Sequence, residues 1–437
     1  MKNIFQNLLH TYTKGKQQEE LAHEPQVIAG KVQVLVLDIG TDSVKALVCV
    51  IDHEEGKVEV KGVGKASQKM GDMYNGGVID IEQVTFNSSH AIAEAEAMAK
   101  MKPVQLVIGI AGELVKGTTN TVEYVREHPV EKIILAELKN LLQKVQWRAY
   151  EKARREIAFE TGYPEVETKL VHSSIVDVRI DGYRVSNPIG FKGKHMVMSI
   201  FNSFAPLVHY ESLVSVSDNL NKELLSIIVE PFAVAHCRDM EEGGDTSSIY
   251  IDIGGGSTDI ALVINGGVVG TKMFAIGGRV FTKRLAKHFH IPFLDAEKMK
   301  IEFSEGKLKG KKEEEVREIL KADVTTWLES LHHALLTFEV TEYFPSRLYL
   351  SGGGSMLKEL FDELEKANWY RGLKFMKRPK IAYLKPESIR RVKDMTGKIK
   401  DARDITPLAL ANIAFDLAGE DRVLTRVLKQ VTRVIST

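Results

Sequence analysis

The sequence predicts an α/β protein made of two duplicated lobes, and three glycine-containing stretches support this prediction. VLVLDIGTDSVKALVCV, residues 34–50, passes from an apolar strand through Asp-Ile-Gly into a second apolar strand. IYIDIGGGSTDIALVI, residues 249–264, repeats that pattern, and a spacing of about 210 residues indicates a duplicated domain rather than a short repeat. RLYLSGGGSMLKEL, residues 347–360, adds a strand, three glycines and a helix that begins near Ser355.

The first two stretches are each predicted to form a β-hairpin rather than a strand-helix-strand unit, because only a short turn separates their apolar runs. Glycines at the end of a strand let the backbone come close to a ligand. Two such hairpins that face one another can hold a polyphosphate with backbone N–H groups. Asp38 and Asp252 would then lie at the strand ends, placed to hold hydrated Mg²⁺ and a nucleophilic water.

One further motif precedes the second glycine stretch, and another lies between the second and third stretches. Glu230 and Pro231 are predicted to begin an alanine-containing helix, and Gly277 and Gly278 precede another helix. In the third stretch, glycines would let the backbone lie flat beneath a base or ribose, and the helix N-terminus would offer free N–H groups.

Composition excludes several classes of protein. The chain has 437 residues, which predicts two to four domains or subdomains. Its 59 basic residues balance 59 acidic ones, so no global field attracts nucleic acid. Two widely separated cysteines cannot form a disulfide framework, and no signal-peptide core or apolar run of transmembrane length is present. A cytoplasmic protein is expected.

The order of these motifs identifies the chain as a member of the superfamily of actin, sugar kinases and heat-shock chaperone ATPases. Within it, the chain resembles FtsA, the bacterial cell-division actin homologue. The narrower resemblance rests on GKASQKMGDMYNGGVIDIEQ at 64–83, on VRIDGYRVSNPIGFKGKHMVMSIFNSF at 178–204 and on LDAEKMKIEFSEGKL at 294–308. It implies an actin-like, ribonuclease-H-like ATPase fold of two lobes, each with an inserted subdomain.

The resemblance also implies boundaries for these parts. They are an N-terminal extension at 1–30, the first part of the lobe 1 core at 31–110, an inserted subdomain of the SHS2 type at 111–185, the rest of the lobe 1 core at 186–224, the first part of the lobe 2 core at 225–282, a second inserted subdomain at 283–345, the rest of lobe 2 with the return to lobe 1 at 346–418, and a C-terminal helix at 419–437.

Carried over residue by residue, the resemblance implies a site for ATP and Mg²⁺. Asp38 and Asp252 would organise the metal and the water, and Glu230 would position or polarise the attacking water. Phosphoryl transfer is catalysed mainly by such positioning and charge neutralisation. The implied nucleotide-binding residues are Gly40, Thr41, Asp42, Ser43, Gly254, Gly255, Gly256, Ser257, Thr258, Gly277, Gly278, Glu297, Lys300, Gly352, Gly353, Gly354 and Ser355.

Two departures from the family change the charge expected near the nucleotide. Relatives often carry a lysine shortly after the first Asp-Ile-Gly-Thr, whereas this chain has Ser43, with Lys45 two positions on. Relatives often have an acidic residue after the threonine that follows Gly277 and Gly278, whereas this chain has Lys283 and Arg284. Both departures bear on the catalytic rate more than on the fold.

Both chain ends are candidate membrane anchors. Residues 422–437 form a basic amphipathic pattern, and residues 1–16 carry apolar residues at helical spacing beside lysines. Such helices suit a peripheral anchor on anionic lipid. Packing against the core is an alternative for the C-terminal helix, and disorder is the alternative for the N-terminal segment.

The resemblance implies a filament-forming, slowly hydrolysing ATPase on the inner face of the cell membrane at the septum. It would tether filaments of the tubulin homologue FtsZ, polymerise with itself and bind an anionic membrane surface. Two alternatives are a cytoplasmic adaptor of type IV pilus assembly that resembles PilM, and a nucleotide-locked scaffold without turnover.

Overall fold

The structure is a computed structural model that describes residues 27–28 and 31–418, except 113, 164–165, 186, 238–245, 339–342 and 367. Both candidate membrane anchors, at 1–16 and 422–437, lie outside the described residues. No helix among the described residues is both long and apolar enough to cross a bilayer.

Strands and helices alternate along the chain in the manner of an α/β protein. The strands are β1 (Val27–Ile28), β2 (Lys31–Ile39), β3 (Ser43–Asp52), β4 (Lys57–Ser67), β5 (Met73–Tyr74), β6 (Gly77–Val78), β7 (Gln105–Ile110), β8 (Lys116–Val125), β9 (Thr168–Ile180), β10 (Tyr183–Arg184), β11 (His195–Pro206), β12 (Glu223–Val229), β13 (Ser248–Ile253), β14 (Thr258–Ile264), β15 (Gly267–Phe274), β16 (Arg347–Ser351), β17 (Lys380–Tyr383) and β18 (Val392–Asp394). The helices are α1 (Ile81–Ala99), α2 (Leu135–Thr161), α3 (Leu207–Asn219), α4 (Glu230–His236), α5 (Gly278–Phe289), α6 (Phe293–Ser304), α7 (Lys311–Leu336), α8 (Lys358–Lys366) and α9 (Ile405–Ala418).

The first sheet forms the core of lobe 1. Within the described ranges its strands run in the order β12-β7-β2-β3-β4-β18, with β1 paired to β2. β2 is almost entirely buried, as its valine and leucine run predicts for a central strand. Helix α1 packs closely on β4, because Gly62 and Gly64 leave room for the helix backbone: a Cβ at either glycine would lie 2.0 Å or less from a carbonyl oxygen of α1.

The second sheet joins lobe 2 to the inserted subdomain of lobe 1. Its order in the part of the chain that is described is β10-β9-β11-β8-β15-β14-β13-β16-β17. β11 pairs with both β8 and β9, so residues 195–206 lie in the sheet of the inserted subdomain, beyond the boundary expected at 185. β8 and β15 are antiparallel and connect these two parts of the sheet, with Gly117 opposite Thr271 and Thr118 opposite Gly270.

The chain returns to lobe 1 after lobe 2. β18 pairs in parallel with β4, and α9 packs on β2 and β3 of the first sheet. The apolar core of lobe 1 includes α9, whereas a separate core lies among β13, β14, β16 and helices α5 to α8. Tyr250, Ala261 and Val263 of β13 and β14 belong to the core that includes α9, whereas their neighbours Ile249, Ile251 and Ile260 belong to the other core, so these two strands of lobe 2 contribute one face to each core. The turns that follow β2 and β13 meet at the cleft between the lobes.

Candidate functional site

The two glycine stretches form equivalent hairpins. β2 and β3 are antiparallel with Asp38 opposite Lys45, and β13 and β14 are antiparallel with Asp252 opposite Asp259. The turns have the same hydrogen bond, from the first glycine to the residue three positions later: Gly40 N donates to Ser43 O at 3.2 Å, and Gly254 N donates to Ser257 O at 2.9 Å. The prediction of two hairpins is confirmed.

The turns of the two hairpins touch each other across the cleft. A Cβ at Gly255 would lie 2.8 Å from Asp42 Cβ, and a Cβ at Gly256 would lie 2.9 Å from Thr41 Oγ1. Separations this short require the backbone of one lobe to approach the other without a side chain between them. These glycines therefore determine how closely the lobes can approach.

The third glycine stretch packs against the second hairpin. Gly352 has φ +85°, and a Cβ there would lie 2.1 Å from Asp252 Oδ1. Gly277 and Gly354 also lie against the backbone of residues 253–255. The helix predicted near Ser355 begins later, because residues 353–356 form a single 3₁₀ turn before α8.

A cavity of about 130 Å³ lies between the hairpins. Most of its lining was predicted as site residues from the sequence: Asp38, Gly40, Thr41, Asp42, Ser43, Glu230, Asp252, Gly254, Gly255, Ser257, Gly352 and Gly353. The lining that the sequence did not reveal as site residues is Ile39, Lys45, Lys65, Gly76, Ala111, Asp259, Arg403 and Thr406. The remaining predicted residues do not line it: Gly256, Thr258, Gly277, Gly278, Glu297, Lys300, Gly354 and Ser355.

Besides the exposed Asp42, four carboxyl groups line this cavity and repel one another: those of Asp38, Glu230, Asp252 and Asp259. Burial raises the pKa of Asp259 to about 7, and the charge of Asp252 adds to that shift. Burial also raises the pKa of Asp252 to about 6, although a hydrogen bond from Thr406 Oγ1 opposes the shift. The pKa of Glu230 lies well above its ordinary value, because of burial and then because of the charges of Asp38, Asp259 and Asp252. Glu230 and Asp252 are half-buried, and both line the cavity.

Lys45 supplies the positive charge that the sequence did not place at position 43. Its Nζ lies 3.4 Å from Asp38 Oδ2 and donates to Arg403 O at 2.6 Å. Burial lowers the pKa of Lys45, but the carboxylates of Asp38, Asp404 and Asp252 outweigh burial and raise it overall. The pKa of Asp38 is raised by burial, and Lys45 reduces that shift. The site therefore keeps the Lys45 ammonium among the carboxyl groups.

Glu230 lies at the start of α4, as predicted, with Pro231 in the first turn. Its side chain occupies the space left by Gly109 in β7, where a Cβ would lie 2.6 Å from Glu230 Oε1. A glycine within a buried strand is a weak sequence signal for such a close approach. Gly109 is thus a residue that shapes the site without a functional group.

Lys300 and Glu297 form a closed cluster beside Gly278. The Lys300 ammonium donates to Gly278 O at 3.0 Å, Thr282 Oγ1 at 2.9 Å and Glu297 Oε2 at 2.8 Å. These three bonds use every N–H of the ammonium group. In this conformation the pair holds the start of α5 in position next to Gly354, so direct contact with a nucleoside stays a prediction.

Neither of the two basic residues that follow Thr282 lines the cavity, and Lys283 is exposed. Arg284 forms a two-pronged ion pair with Asp323 of α7, with Nε to Oδ2 at 2.8 Å and Nη2 to Oδ1 at 2.6 Å. This ion pair lies within lobe 2, and Arg284 does not line the cavity. Arg284 therefore does not supply charge to the cleft through direct contact.

The donors in the cavity suit a divalent cation that keeps most of its own water. Among the described residues, no group of three or more His, Cys, Asp or Glu side chains is arranged to hold a metal ion. Mg²⁺ usually binds through one or two carboxylates together with water and substrate phosphates. Asp38 and Asp252 fit that description, and the mutual repulsion of the four carboxyl groups is the kind that a cation relieves.

Comparisons with known proteins agree with this geometry. The family model of the cell division protein FtsA matches residues 249–399. The cell division protein FtsA of Pseudomonas aeruginosa is 25% identical over 230 residues, which cover 52% of this chain and 50% of that protein. The match thus spans about half the length of that curated relative. This chain is similar to FtsA and has an actin-like fold.

A solved structure extends the likeness of the FtsA-like protein to nearly the whole described chain. The PilM-PilN type IV pilus biogenesis complex aligns with a TM-score of 0.61 at 16% identity, covering 88% of this chain and 99% of that chain. At that identity the likeness concerns the fold alone. The family resemblance and the two-lobe fold class expected from the sequence are confirmed.

Proposed function

We propose that this FtsA-like protein binds ATP in the cleft between its lobes and serves as an actin-like adaptor in cell division. The observation that carries the proposal is the pair of equivalent turns, at 40–43 and 254–257, which meet over Asp38 and Asp252. Turns of this kind present backbone N–H groups to an anion from both sides.

The residues of the cavity have separate roles in this proposal. The two turns would hold the phosphates, and the Lys45 ammonium would offset phosphate charge beside Asp38. Asp38 and Asp252 would hold Mg²⁺, which neutralises charge on the transferred phosphoryl group when it is bound. Glu230 would orient the attacking water with its side chain in the space beside Gly109.

The proposed turnover is slow. In the ligand-free cleft the raised pKa of Glu230 keeps its carboxyl protonated at pH values where a free glutamate is ionised, so it is a poor general base there. Binding and lobe closure are then the main use of the nucleotide. A scaffold that binds ATP and never hydrolyses it is the limiting case of the same proposal.

In cell division, the protein is proposed to bind three kinds of partner. FtsZ-like filaments, further copies of this chain and an anionic membrane surface are the proposed partners, on the cytoplasmic face of the membrane. The FtsA family match at 249–399 and the Pseudomonas aeruginosa relative support this choice. A pilus-type adaptor is the second candidate, because the PilM-PilN complex aligns over 88% of this chain.

Calorimetric titration of the full chain with ATP, with and without Mg²⁺, tests the nucleotide site. We expect Lys45→Met to weaken ATP binding at least tenfold, since it removes a charge-assisted contact to phosphate worth about 1.5–3 kcal/mol. Lys57→Met is the matched control, because Lys57 pairs with Glu59 on the surface of β4. Equal ATP affinity for wild type and Lys45→Met, or no binding by the wild type, would contradict the proposed site.

Two co-sedimentation experiments distinguish division from pilus roles. The full chain is centrifuged with FtsZ filaments, and separately with vesicles of phosphatidylglycerol or of phosphatidylcholine, each with and without Mg-ATP. Truncations that lack 1–16 or 422–437 locate the anchor. Binding to FtsZ and to the anionic vesicles alone supports the division role, whereas binding to neither favours the pilus-type adaptor.

A further inference from the structure

An arginine of lobe 2 reaches across the cleft into lobe 1. Arg279 is the second residue of α5, and its backbone N–H donates to Gly255 O at 2.8 Å, which fixes it to the second hairpin. Its side chain is 9% exposed, although it carries a full charge. Nη2 donates to Gln68 O at 3.1 Å, and Nε lies 3.5 Å from Asp42 Oδ1.

The lobe 1 residues that Arg279 contacts are those that hold the first turn. Gln68 N donates to Asp42 O at 2.9 Å, and Gln68 Nε2 lies 3.5 Å from Gly40 O. Gln68 is itself fixed by Asn87, whose Nδ2 donates to Gln68 Oε1 at 2.6 Å. A chain of hydrogen bonds therefore runs from α5 through Gln68 to the turn at 40–43.

Arg279 does not line the cavity, so it would act through these neighbours rather than on a ligand. Burying a guanidinium costs desolvation free energy unless the group is paired. Its planar set of N–H donors forms hydrogen bonds in a fixed geometry, so the contact favours one relative position of the two lobes. Among the described residues its one carboxylate partner is Asp42, which is 55% exposed and faces the cavity. Moving the lobes apart would leave the guanidinium without either lobe 1 partner.

We propose that Arg279 is a positioning residue that holds the first turn against the second hairpin, and so controls how fast a nucleotide leaves the cleft. This inference rests on the proposed nucleotide site. It assigns to one side chain the coupling between lobe closure and nucleotide release.

The test uses the full chain and three variants. Release of a fluorescent N-methylanthraniloyl ATP, with Mg²⁺, is followed by stopped-flow after a chase with unlabelled ATP. We expect about tenfold faster release from Arg279→Met, because the charge-assisted hydrogen bond to Gln68 O and the longer contact with Asp42 are both lost, and an intermediate rate from Arg279→Lys. Arg284→Met is the matched control, since its ion pair with Asp323 stays within lobe 2, and it should release at the wild-type rate.

Hydrogen exchange of the nucleotide-free proteins gives a second measurement that does not depend on nucleotide binding. Arg279→Met should speed exchange of the Gln68 amide and of the segment 40–43, and Arg284→Met should not. If the wild type binds no nucleotide, the proposed function fails while faster exchange in Arg279→Met still supports the inter-lobe contact. Unchanged exchange at Gln68 in Arg279→Met, or an unchanged release rate, overturns the inference; Arg279→Lys serves both measurements if Arg279→Met does not fold.

Discussion

Asp259 provides a prediction with a defined sign and size. It lies 8% exposed opposite Asp252 in the second hairpin, and its pKa rises from an ordinary 3.8 to about 7 in the folded protein. Between these values the folded state holds a proton that the unfolded state has released. Stability supplied by this group is therefore fully present below pH 4 and lost as the pH rises through 7.

The difference between the two pKa values corresponds to roughly 4 kcal/mol of the free energy of unfolding. About 2.5 kcal/mol of this free energy is lost between pH 5 and pH 8. Asn at position 259 has the same shape and never ionises. We expect Asp259→Asn to gain stability over the wild type, without nucleotide, by about that 2.5 kcal/mol as the pH rises from 5 to 8. The variant also relieves the repulsion on Asp252.

Urea unfolding followed by circular dichroism at pH 5, 6, 7 and 8 measures this difference. Asp218→Asn, at the exposed end of α3, is the control with the same chemical change outside the cleft. The difference in the free energy of unfolding between Asp218→Asn and wild type should be the same at every pH. A difference between Asp259→Asn and wild type that does not change across this range would refute the electrostatic account of the site.

Two further predictions concern packing and buried histidine. Gly255→Ala should separate the hairpin turns, because the new Cβ would meet the inflexible Cβ of Asp42 at 2.8 Å, and overpacking typically costs about 1–3 kcal/mol. Calorimetry should show weaker ATP binding for Gly255→Ala and wild-type binding for Gly71→Ala, where a Cβ would meet nothing within 4 Å; equal affinities would contradict the contact. Burial, followed by the charge of His236, lowers the pKa of His172 to about 4, so the wild type should lose about 3 kcal/mol as the pH falls from 6.5 through 4. His172→Phe should lose less stability than wild type in acid unfolding titrations, and identical acid sensitivity would show that His172 titrates outside that range.

The sequence by itself determined the local parts of the site. Gly40, Gly254 and Gly352 follow apolar strands, and the turn that each makes depends mainly on its neighbours in the chain. Glu230 with Pro231 marks a helix start for the same reason. The repeat of Asp-Ile-Gly also indicated the duplication, since two copies of one local pattern require no knowledge of long-range contacts.

Only the tertiary structure decided which residues from distant parts of the chain meet. Lys45 pairs with Asp38 because strand register places them opposite each other, and a lysine in an apolar strand does not reveal that register. Gly109 matters only because α4 directs Glu230 into the space above it. Arg279 resembles any polar residue in the first turn of a helix until the lobes come together and its guanidinium reaches Gln68 from the other lobe. Gly109 and Glu230 are 121 positions apart, Gln68 and Arg279 are 211 positions apart, and Lys45 meets Asp38 only through pairing between strands, so nothing in the local sequence encodes these contacts.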